Sequence, residues 1–347
     1  MHELSRVNVA RTRVLVTGGA GFIGTHCCVA LLEKGVDVVV LDSLINSELN
    51  AMRRVEEISQ SKIHFVEGDV RNTPLVKKII TEHNVDSVIH FAALKSVSES
   101  IKSPLEYYDN NVVGLISLLQ AMQETNLCKI VFSSSATVYG VPDRVPITED
   151  FPTAAINPYG YSKLMAEQLL KDVAKSGEWS IGVLRYFNPV GAHPTGKIGE
   201  NPKGEPTNLM PIITQVAAGN REKLLIYGGD YPTLDGTGVR DFIHVVDLAD
   251  AHVAALRHLY ANRGIRVLNI GTGRGVSVLE LISTFKEVTG VEVPFEIVAR
   301  RPGDVAECWA DASLSNQVLG WKAEQSIEAM CEDAWRWKRD NPLGFAD

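Results

Sequence analysis

The chain has 347 residues, 45% of them hydrophobic, and a formal net charge of −8. That length suits one large domain or two modest ones built around a real core. The negative charge argues against a nucleic-acid or anionic-membrane partner, and no apolar run reaches the ~18 residues that a bilayer span requires.

Residues 1–13 lack the apolar core of a secretory signal and read as a short frayed extension. Arg13–Thr17 is a strand-like run. A helical pattern follows over 22–34, with Phe22, Ile23, Cys27, Ala30 and Leu31 on one side, and then an apolar strand over 36–41. Further strand-like runs lie at 64–66, 87–91 and 129–133, separated by helical stretches near 74–82 and 104–124. Strands apolar on both faces and alternating with helices predict an α/β fold of Rossmann type, a doubly wound parallel sheet covered on both sides. Residues 188–206 are rich in Gly, Pro and Asn and read as loop. Beyond them come a helix near 209–218, strands at Leu224–Tyr227 and 240–244, and helices near 246–259, Val278–Thr289 and 327–339. Residues 12–188 are therefore expected to form the domain built on this sheet and 189–347 a smaller mixed α/β domain. The segment near 240–275 is expected to return to the first domain, because 267–270 looks like another buried strand.

The five cysteines, Cys27, Cys28, Cys128, Cys308 and Cys331, are odd in number and include no Cys-x-x-Cys pair. That fits a reducing compartment, the cytoplasm, and no zinc. No His-x-x-x-His pair occurs among the nine histidines, so no metal site is expected. Cys27 and Cys28 fall in a helical pattern and read as small buried residues.

The first strand runs into Gly18-Gly19-Ala-Gly21-Phe-Ile-Gly24, which opens the first helix. Gly18 permits a sharp turn, Gly21 lets the backbone approach a pyrophosphate, and Gly24 lets helix and strand pack closely. The helix N-terminus offers N–H groups and a positive dipole to phosphates. Asp42, at the end of the second strand, can accept hydrogen bonds from an adenosine ribose and would repel a 2′-phosphate, which favours NAD over NADP. Farther along, Tyr159 and Lys163 are one helical turn apart and share a face. An ammonium beside a phenol is expected to lower the tyrosine pKa from ~10 and make Tyr159 a usable acid/base. A surface Tyr beside a surface Lys is the plain alternative, and the glycine motif upstream weighs against it.

The Gly-x-x-Gly-x-x-Gly and Tyr-x-x-x-Lys spacings resemble those of the extended short-chain dehydrogenase/reductase superfamily. Within it, Phe91-Ala-Ala-Leu-Lys95, Tyr107-Tyr-Asp-Asn-Asn111, Ser133-Ser-Ser-Ala-Thr-Val-Tyr-Gly140, Arg185-Tyr-Phe-Asn-Pro-Val-Gly-Ala-His193 and Gly238-Val-Arg-Asp-Phe-Ile-His-Val245 resemble the UDP-glucose 4-epimerases. The resemblance implies that Tyr159 removes the proton of the sugar 4-hydroxyl while the C4 hydride moves to NAD. The 4-keto sugar then turns while held by its UDP handle, and hydride returns to the opposite face. Lys163 would tune Tyr159 and bind the nicotinamide ribose, and Ser135 would share the hydroxyl proton. The resemblance assigns Gly18, Gly21, Phe22, Ile23, Gly24, Asp42, Ser43, Asn46 and Ser47 to the NAD site. It adds Asp69 and Val70 at the adenine, then Phe91, Ala92, Ala93, Lys95, Asn111, Ser133, Tyr159, Lys163 and Phe187. For the UDP-sugar it implies Lys95, Ser135, Tyr159, Asn188, Asn208, Leu209, Leu225, Ile226, Tyr227, Arg240, Arg301, Asp304 and Cys308. Arginines suit a diphosphate because the guanidinium forms paired, charge-assisted bonds.

A sugar-nucleotide 4,6-dehydratase would need an added acid and base; that family resembles Ser-Thr-Asp-Glu-Val-Tyr-Gly at the serine run, where this chain has Ala136 and Thr137. A decarboxylase would want a Glu there. A catalytically silent NAD-sensing protein on the same fold would have no need of Tyr159, Lys163 and Ser135 together. Many bacterial epimerases carry Tyr where Cys308 stands, and a smaller residue there implies room for a 2-acetamido group, hence UDP-N-acetylglucosamine. Family members are commonly homodimers. The helices near 104–124 and starting at Tyr159, with Leu115, Ile116, Leu118 and Leu119, are the expected interface.

Overall fold

The computed structural model describes residues 12–301 and 303–346. The expected N-terminal extension, save its last residues, lies outside the described residues. The chain opens as β1 (Arg13–Thr17), α1 (Phe22–Glu33), β2 (Asp37–Asp42), α2 (Leu49–Ser59), β3 (His64–Glu67), α3 (Thr73–Glu82) and β4 (Ser87–His90). Two short helices, α4 (Val97–Lys102) and α5 (Pro104–Tyr108), lead through a π-helical turn (Asp109–Val113) into α6 (Gly114–Glu124). Then come β5 (Lys129–Ser135), a 3-10 turn (Ala136–Tyr139), α7 (Pro158–Lys175), β6 (Ser180–Tyr186) and β7 (Asn188–Val190). Later elements are α8 (Leu209–Ala217), β8 (Leu224–Tyr227), β9 (Val239–Arg240), β10 (Phe242–His244), α9 (Val245–Ala261) and β11 (Gly264–Ile270). The chain ends with β12 (Val276–Ser277), α10 (Val278–Thr289), β13 (Phe295–Val298), β14 (Glu307–Cys308), α11 (Ser313–Leu319) and α12 (Ile327–Asp340).

Seven strands form one parallel sheet in the order β11-β6-β5-β4-β1-β2-β3. β1 pairs with β2 on one side and β4 on the other, so the chain reverses direction across the sheet there. Ligands of open α/β sheets bind in the crevice at the carboxyl ends of the strands at such a point. Each face of the sheet carries its own core. One gathers Cys27, Leu31, Val55 and Leu256 beneath α1, α2 and α9. The other gathers Ile79, Leu118 and Leu170 beneath α3, α6 and α7. Cys27 and Cys28 are fully buried in the first. A third core, with Ile213, Phe285 and Met330, joins α8, α10 and α12 to the short strands of the C-terminal half. Among the described residues no helix is long and apolar enough to cross a membrane.

The structure corrects three readings. The single helix expected over 104–124 is interrupted by the π-helical turn, whose extra residue turns Asn111 inward. Leu115, Leu118 and Leu119, expected at an interface, instead fill the protomer's own core, and of that group only Ile116 is exposed. β6, for which no strand was expected, lies between β5 and β11.

One polar contact crosses this apolar interior. Glu167 of α7 and Arg185 of β6 are buried and face each other in two parallel bonds, Nε to Oε1 at 2.9 Å and Nη2 to Oε2 at 2.6 Å. Ser134 Oγ of β5 donates to Glu167 Oε1 at 2.6 Å, and Arg185 Nη1 donates to the Tyr139 hydroxyl at 2.9 Å. Glu167→Ala would strand a buried guanidinium, so urea unfolding should show a loss of about 3–5 kcal/mol; a loss below about 1 kcal/mol would mean that the neighbouring oxygens satisfy Arg185 without it.

Candidate active site

β1 delivers the chain to Gly18, whose φ of +71° and lack of a Cβ are both required: a Cβ there would lie 2.6 Å from the Ala92 backbone nitrogen. A Cβ on Gly24 would meet Gly18 O at 2.3 Å, so the helix rests directly on the turn. Over Gly21 the nearest atom to such a Cβ is 3.3 Å away, and no side chain caps α1. Bare backbone therefore faces a cleft of about 270 Å³. Gly18, Gly21, Phe22, Ile23, Gly24, Asp42, Ser43, Asn46, Ser47, Asp69 and Val70 line it, as do Phe91, Ala92, Ala93, Lys95, Tyr159, Lys163 and Asn208.

Asp42 organises the adenosine end. Its Oδ1 accepts from Leu44 N at 2.9 Å and Ser47 Oγ at 2.7 Å, and its Oδ2 accepts from Ala20 N at 3.0 Å. Oδ2 thus retains a lone pair for a ribose hydroxyl. The Arg71 guanidinium grips Asp69 through Nε, 3.0 Å from both carboxylate oxygens, and holds its carboxyl below the usual range. A bare glycine cradle, a carboxylate at the ribose position and apolar walls fit an adenine dinucleotide without a 2′-phosphate.

Three residues expected in the cofactor wall lie behind it. The Asn111 side chain accepts from Leu94 N at 2.8 Å and donates to Leu94 O at 3.0 Å and Ser162 Oγ at 2.9 Å, so it pins the loop after β4 to α7; Asn110 lines the cleft instead. Ser133 turns its hydroxyl to His252 Nε2 at 3.1 Å. Phe187 packs with Ala136, Tyr139 and Ile147 in an apolar cluster that Cys308 borders.

α7 starts where Asn157 Oδ1 accepts from Gly160 N at 2.8 Å, with Pro158 in its first turn. That start sets Tyr159 and Lys163 on the buried face, against the end of β5. Lys163 Nζ donates to Ser133 O at 2.8 Å and sits 5.0 Å from the Phe132 ring centroid. Ser135 Oγ accepts from Thr137 N at 3.2 Å and from Thr137 Oγ1 at 3.0 Å. With both lone pairs engaged, the Ser135 hydroxyl has its proton left to turn toward Tyr159, and Ser135 acts to favour the phenolate. Lys163 was expected to bring the Tyr159 phenol down; its Nζ stands 5.9 Å from the ring centroid, but burial outweighs the groups that favour the phenolate, Ser135 among them, and the phenol is pushed up. Burial also brings the Lys163 ammonium down to about 8, against the pull of Glu167.

The substrate-side residues gather from distant segments. β9 pairs with β14 so that Arg240 lies opposite Cys308. Arg240 Nη2 is 3.9 Å from Asp304 Oδ1, and the Arg301 guanidinium stacks 3.6 Å from the Tyr227 ring centroid. Asn188 is exposed in β7 and Leu209 begins α8 behind Asn208. Leu225 is exposed, whereas Ile226 points into the third core and can reach a ligand only through its backbone. The Cys308 thiol is pushed up to about 11 by burial, which leaves it a neutral, small side chain.

Several residues of the site carry no local sequence signal. Asp241 is buried beside Arg240 and accepts from Thr272 N at 2.8 Å, Thr272 Oγ1 at 2.7 Å, Gly273 N at 3.1 Å and Ala310 N at 3.2 Å, which ties the short strands together. Residues 199–208 cross the mouth of the cofactor cleft. Glu200 accepts from Lys95 and Asn208, both at 2.9 Å, and its carbonyl from Trp337 Nε1 at 3.2 Å. Asn201 donates to Glu48 Oε1 at 2.6 Å and Lys203 Nζ to Leu44 O at 2.7 Å. The excess of Gly, Pro and Asn that marked this stretch as loop was the only signal available.

Comparison with known proteins agrees with this geometry. Residues 14–271 match the NAD dependent epimerase/dehydratase family. The chain is 53% identical over 333 residues to the UDP-glucose 4-epimerase of Bacillus subtilis, covering 96% of this chain and 98% of that one. It superposes at a TM-score of 0.95 and 52% identity on the Stenotrophomonas maltophila UDP-glucose-4-epimerase with bound NAD and formylated UDP-arabinopyranose, covering 96% and 99% of the two chains. The Campylobacter jejuni UDP-Glc/GlcNAc 4-epimerase is 37% identical with a TM-score of 0.83, over 95% and 99%. With a glycine cradle, a Tyr–Lys helix and a family match over most of its length, the chain belongs to the NAD-dependent epimerase/dehydratase family, among the UDP-glucose 4-epimerases.

Proposed function

We propose that the protein inverts C4 of UDP-hexoses, interconverting UDP-glucose and UDP-galactose with NAD held through the cycle, as in galactose metabolism. One observation carries this: Tyr159 and Lys163 line the cofactor cleft on one helix face, and the two positions after Ser135 are Ala136 and Thr137, so neither offers the carboxylic acid that elimination needs there. When bound, NAD takes up the C4 hydride and gives it back. The Tyr159 oxygen takes the 4-hydroxyl proton and later returns it. Ser135 donates to that oxygen and stabilises the phenolate while it lasts. Lys163, with its charge buried, favours the same anion once the site is filled. Arg240, Arg301 and Asp304 keep hold of the UDP handle while the keto sugar turns. Residues 12–188, joined by later segments near 240–275, serve the cofactor, and 189–347 the UDP-sugar.

Two further readings concern range and assembly. Cys308 is small, borders the apolar cluster that contains Phe187 and lies opposite Arg240, which supports entry of a 2-acetamido group and turnover of UDP-N-acetylglucosamine and UDP-N-acetylgalactosamine. A homodimer is supported by an apolar face along α4, α5, α6 and α7: Ile101 is 64% exposed and Leu105 82%, with Ile116, Tyr161 and Met165 beside them. The five unpaired cysteines support a cytoplasmic location, and recovery of the protein in a secreted fraction would overturn it.

Turnover of the four UDP-sugars side by side tests the activity. Tyr159→Phe should lower kcat by about 10²–10⁴, and a wild-type protein that carries NAD yet converts none of them would sink the reading. Cys308→Tyr should cut kcat/KM for UDP-N-acetylglucosamine by about 10- to 100-fold, the cost of overfilling a pocket, while sparing UDP-glucose; equal effects on both sugars would remove Cys308 from substrate selection. In sedimentation velocity the wild type should run as a dimer and Leu105→Asp with Met165→Asp as a monomer. A monomeric wild type at micromolar concentration would end the dimer proposal.

A further inference from the structure

One carboxylate on the wall of the cleft has no part in the proposed mechanism. Glu200 Oε1 accepts from Lys95 Nζ and from Asn208 Nδ2, both at 2.9 Å, and all three residues line the cleft. Lys95 comes from the loop after β4 and Asn208 stands at the start of α8. The Glu200 side chain is only 9% exposed, whereas that of Lys95 is 59% exposed. The carboxylate is thus the fixed member, and the two donors are what it holds. Its backbone is fixed in turn. The Glu200 carbonyl accepts from Trp337 Nε1 at 3.2 Å, and a Cβ on Gly199 would come within 2.4 Å of the Trp337 ring. Gly199 also bridges to Ala192.

The local chemistry of Asn208 shows that this bond displaces an ordinary one. Asn208 occupies the N-cap position of α8, where an asparagine usually accepts from an N–H of the first helical turn. It makes no capping bond, and Pro211, in that first turn, has no N–H to give. Its amide is turned to Glu200 instead. Neither donor is used up there. An ammonium has three N–H bonds and an amide nitrogen two, and Glu200 takes one of each. The remaining N–H groups suit an acceptor-only, anionic ligand. A carboxylate on the wall of a cleft that takes diphosphates opposes them by its charge, so what it contributes to binding it contributes through position.

We infer that Glu200 is a positioning residue that orients Lys95 and Asn208 for the nucleotide sugar before it arrives. This rests on the UDP-sugar reading above and adds to it the residue that sets two of its donors. A lysine on a flexible stem loses much rotamer freedom when a ligand fixes it. With Lys95 and Asn208 already tied to a fixed oxygen, less of that freedom is left to lose on binding.

The test uses the NAD-loaded protein with free NAD in excess. Glu200→Ala should raise KM for UDP-glucose about 10-fold, the range for losing one or two oriented bonds. Its kcat should stay within about twofold, because Tyr159, Lys163 and Ser135 are untouched. Glu200→Gln keeps an acceptor oxygen at the same reach and should recover most of the loss. Glu200→Asp keeps the charge but draws the oxygen back by one methylene, and should behave as the alanine variant does; it carries the test if that variant does not fold. In a protein that already has Lys95→Met and Asn208→Ala, Glu200→Ala should change KM no further. A KM that holds or falls in Glu200→Ala overturns the inference, because the carboxylate would then act by charge alone. A glutamine variant no better than alanine overturns it, as does an aspartate variant equal to wild type. So does a full loss that persists without Lys95 and Asn208, the result that a merely structural residue would give. Wild-type protein that binds no UDP and converts no UDP-glucose would remove the functional reading and this one with it; normal wild-type turnover with any of those four results removes Glu200 alone.

Discussion

A carboxylate and a guanidinium shielded from water hold the reactive surface in register. Glu167 lies on the same helical stripe as Tyr159 and Lys163, and Ser134 precedes Ser135. The bond from Ser134 to Glu167 and the paired bonds from Arg185 therefore fix helix and strand at the same point. Burying two charges is costly, and the cost is recovered only when geometry is good and the remaining lone pairs are filled. Here both conditions are met. Sliding α7 along β5 by even part of a turn would leave Glu167 without its partners, so the separation of Tyr159 from Ser135 is set by electrostatics one and two turns away. Apolar packing alone resists such sliding less strongly, because it is non-directional.

The chemistry at the end of that helix follows from its dryness. Burial drives the Tyr159 phenol and the Lys163 ammonium toward their neutral forms. The polar groups that oppose this are few and directed: Ser135 toward the phenol, the Ser133 carbonyl and Glu167 toward the ammonium. A positively charged nicotinamide bound in the cleft would add to the same side of the balance and so favour the phenolate, the form able to take a proton, when the cofactor is oxidised.

What could be read from the chain was what is local. The glycine turn, Asp42 at the end of β2 and the Tyr159–Lys163 pair each occupy a few consecutive residues whose spacing has one physical use. The strands of the sheet were legible where they were continuously apolar. β6 was not, because Gly182 breaks the run and Arg185, ordinarily a surface residue, ends it inside the core. The π-helical turn was invisible because helical periodicity runs straight through it. Asn111 came to the cofactor site by resemblance alone, whereas its amide is spent on Leu94 and Ser162. Leu115 and Leu118 looked like interface because a helix buried on two sides within one protomer has the same pattern as one buried by a partner. The substrate corner was legible only through family resemblance. Its parts come from β8, β9, the turn after β13 and β14, with the Asp241 carboxylate tying the end of β9 to Thr272, Gly273 and Ala310, and no spacing in the sequence announces that meeting.

The crossing of residues 199–208 over the cofactor cleft changes what cohesion means for this molecule. Glu200 is held by Lys95 from the N-terminal half and by Trp337 from the last helix, and Asn201 and Lys203 fasten the same stretch to residues 44–48. A dinucleotide in the cleft would thus be bordered by chain segments far apart in sequence. By mass action, each tenfold excess of free cofactor over its Kd adds about 1.4 kcal/mol to the folded state. Here that increment falls on the seam between the two halves. The cofactor serves as internal mortar as well as reagent, and with it in place the two halves are expected to unfold as one cooperative unit.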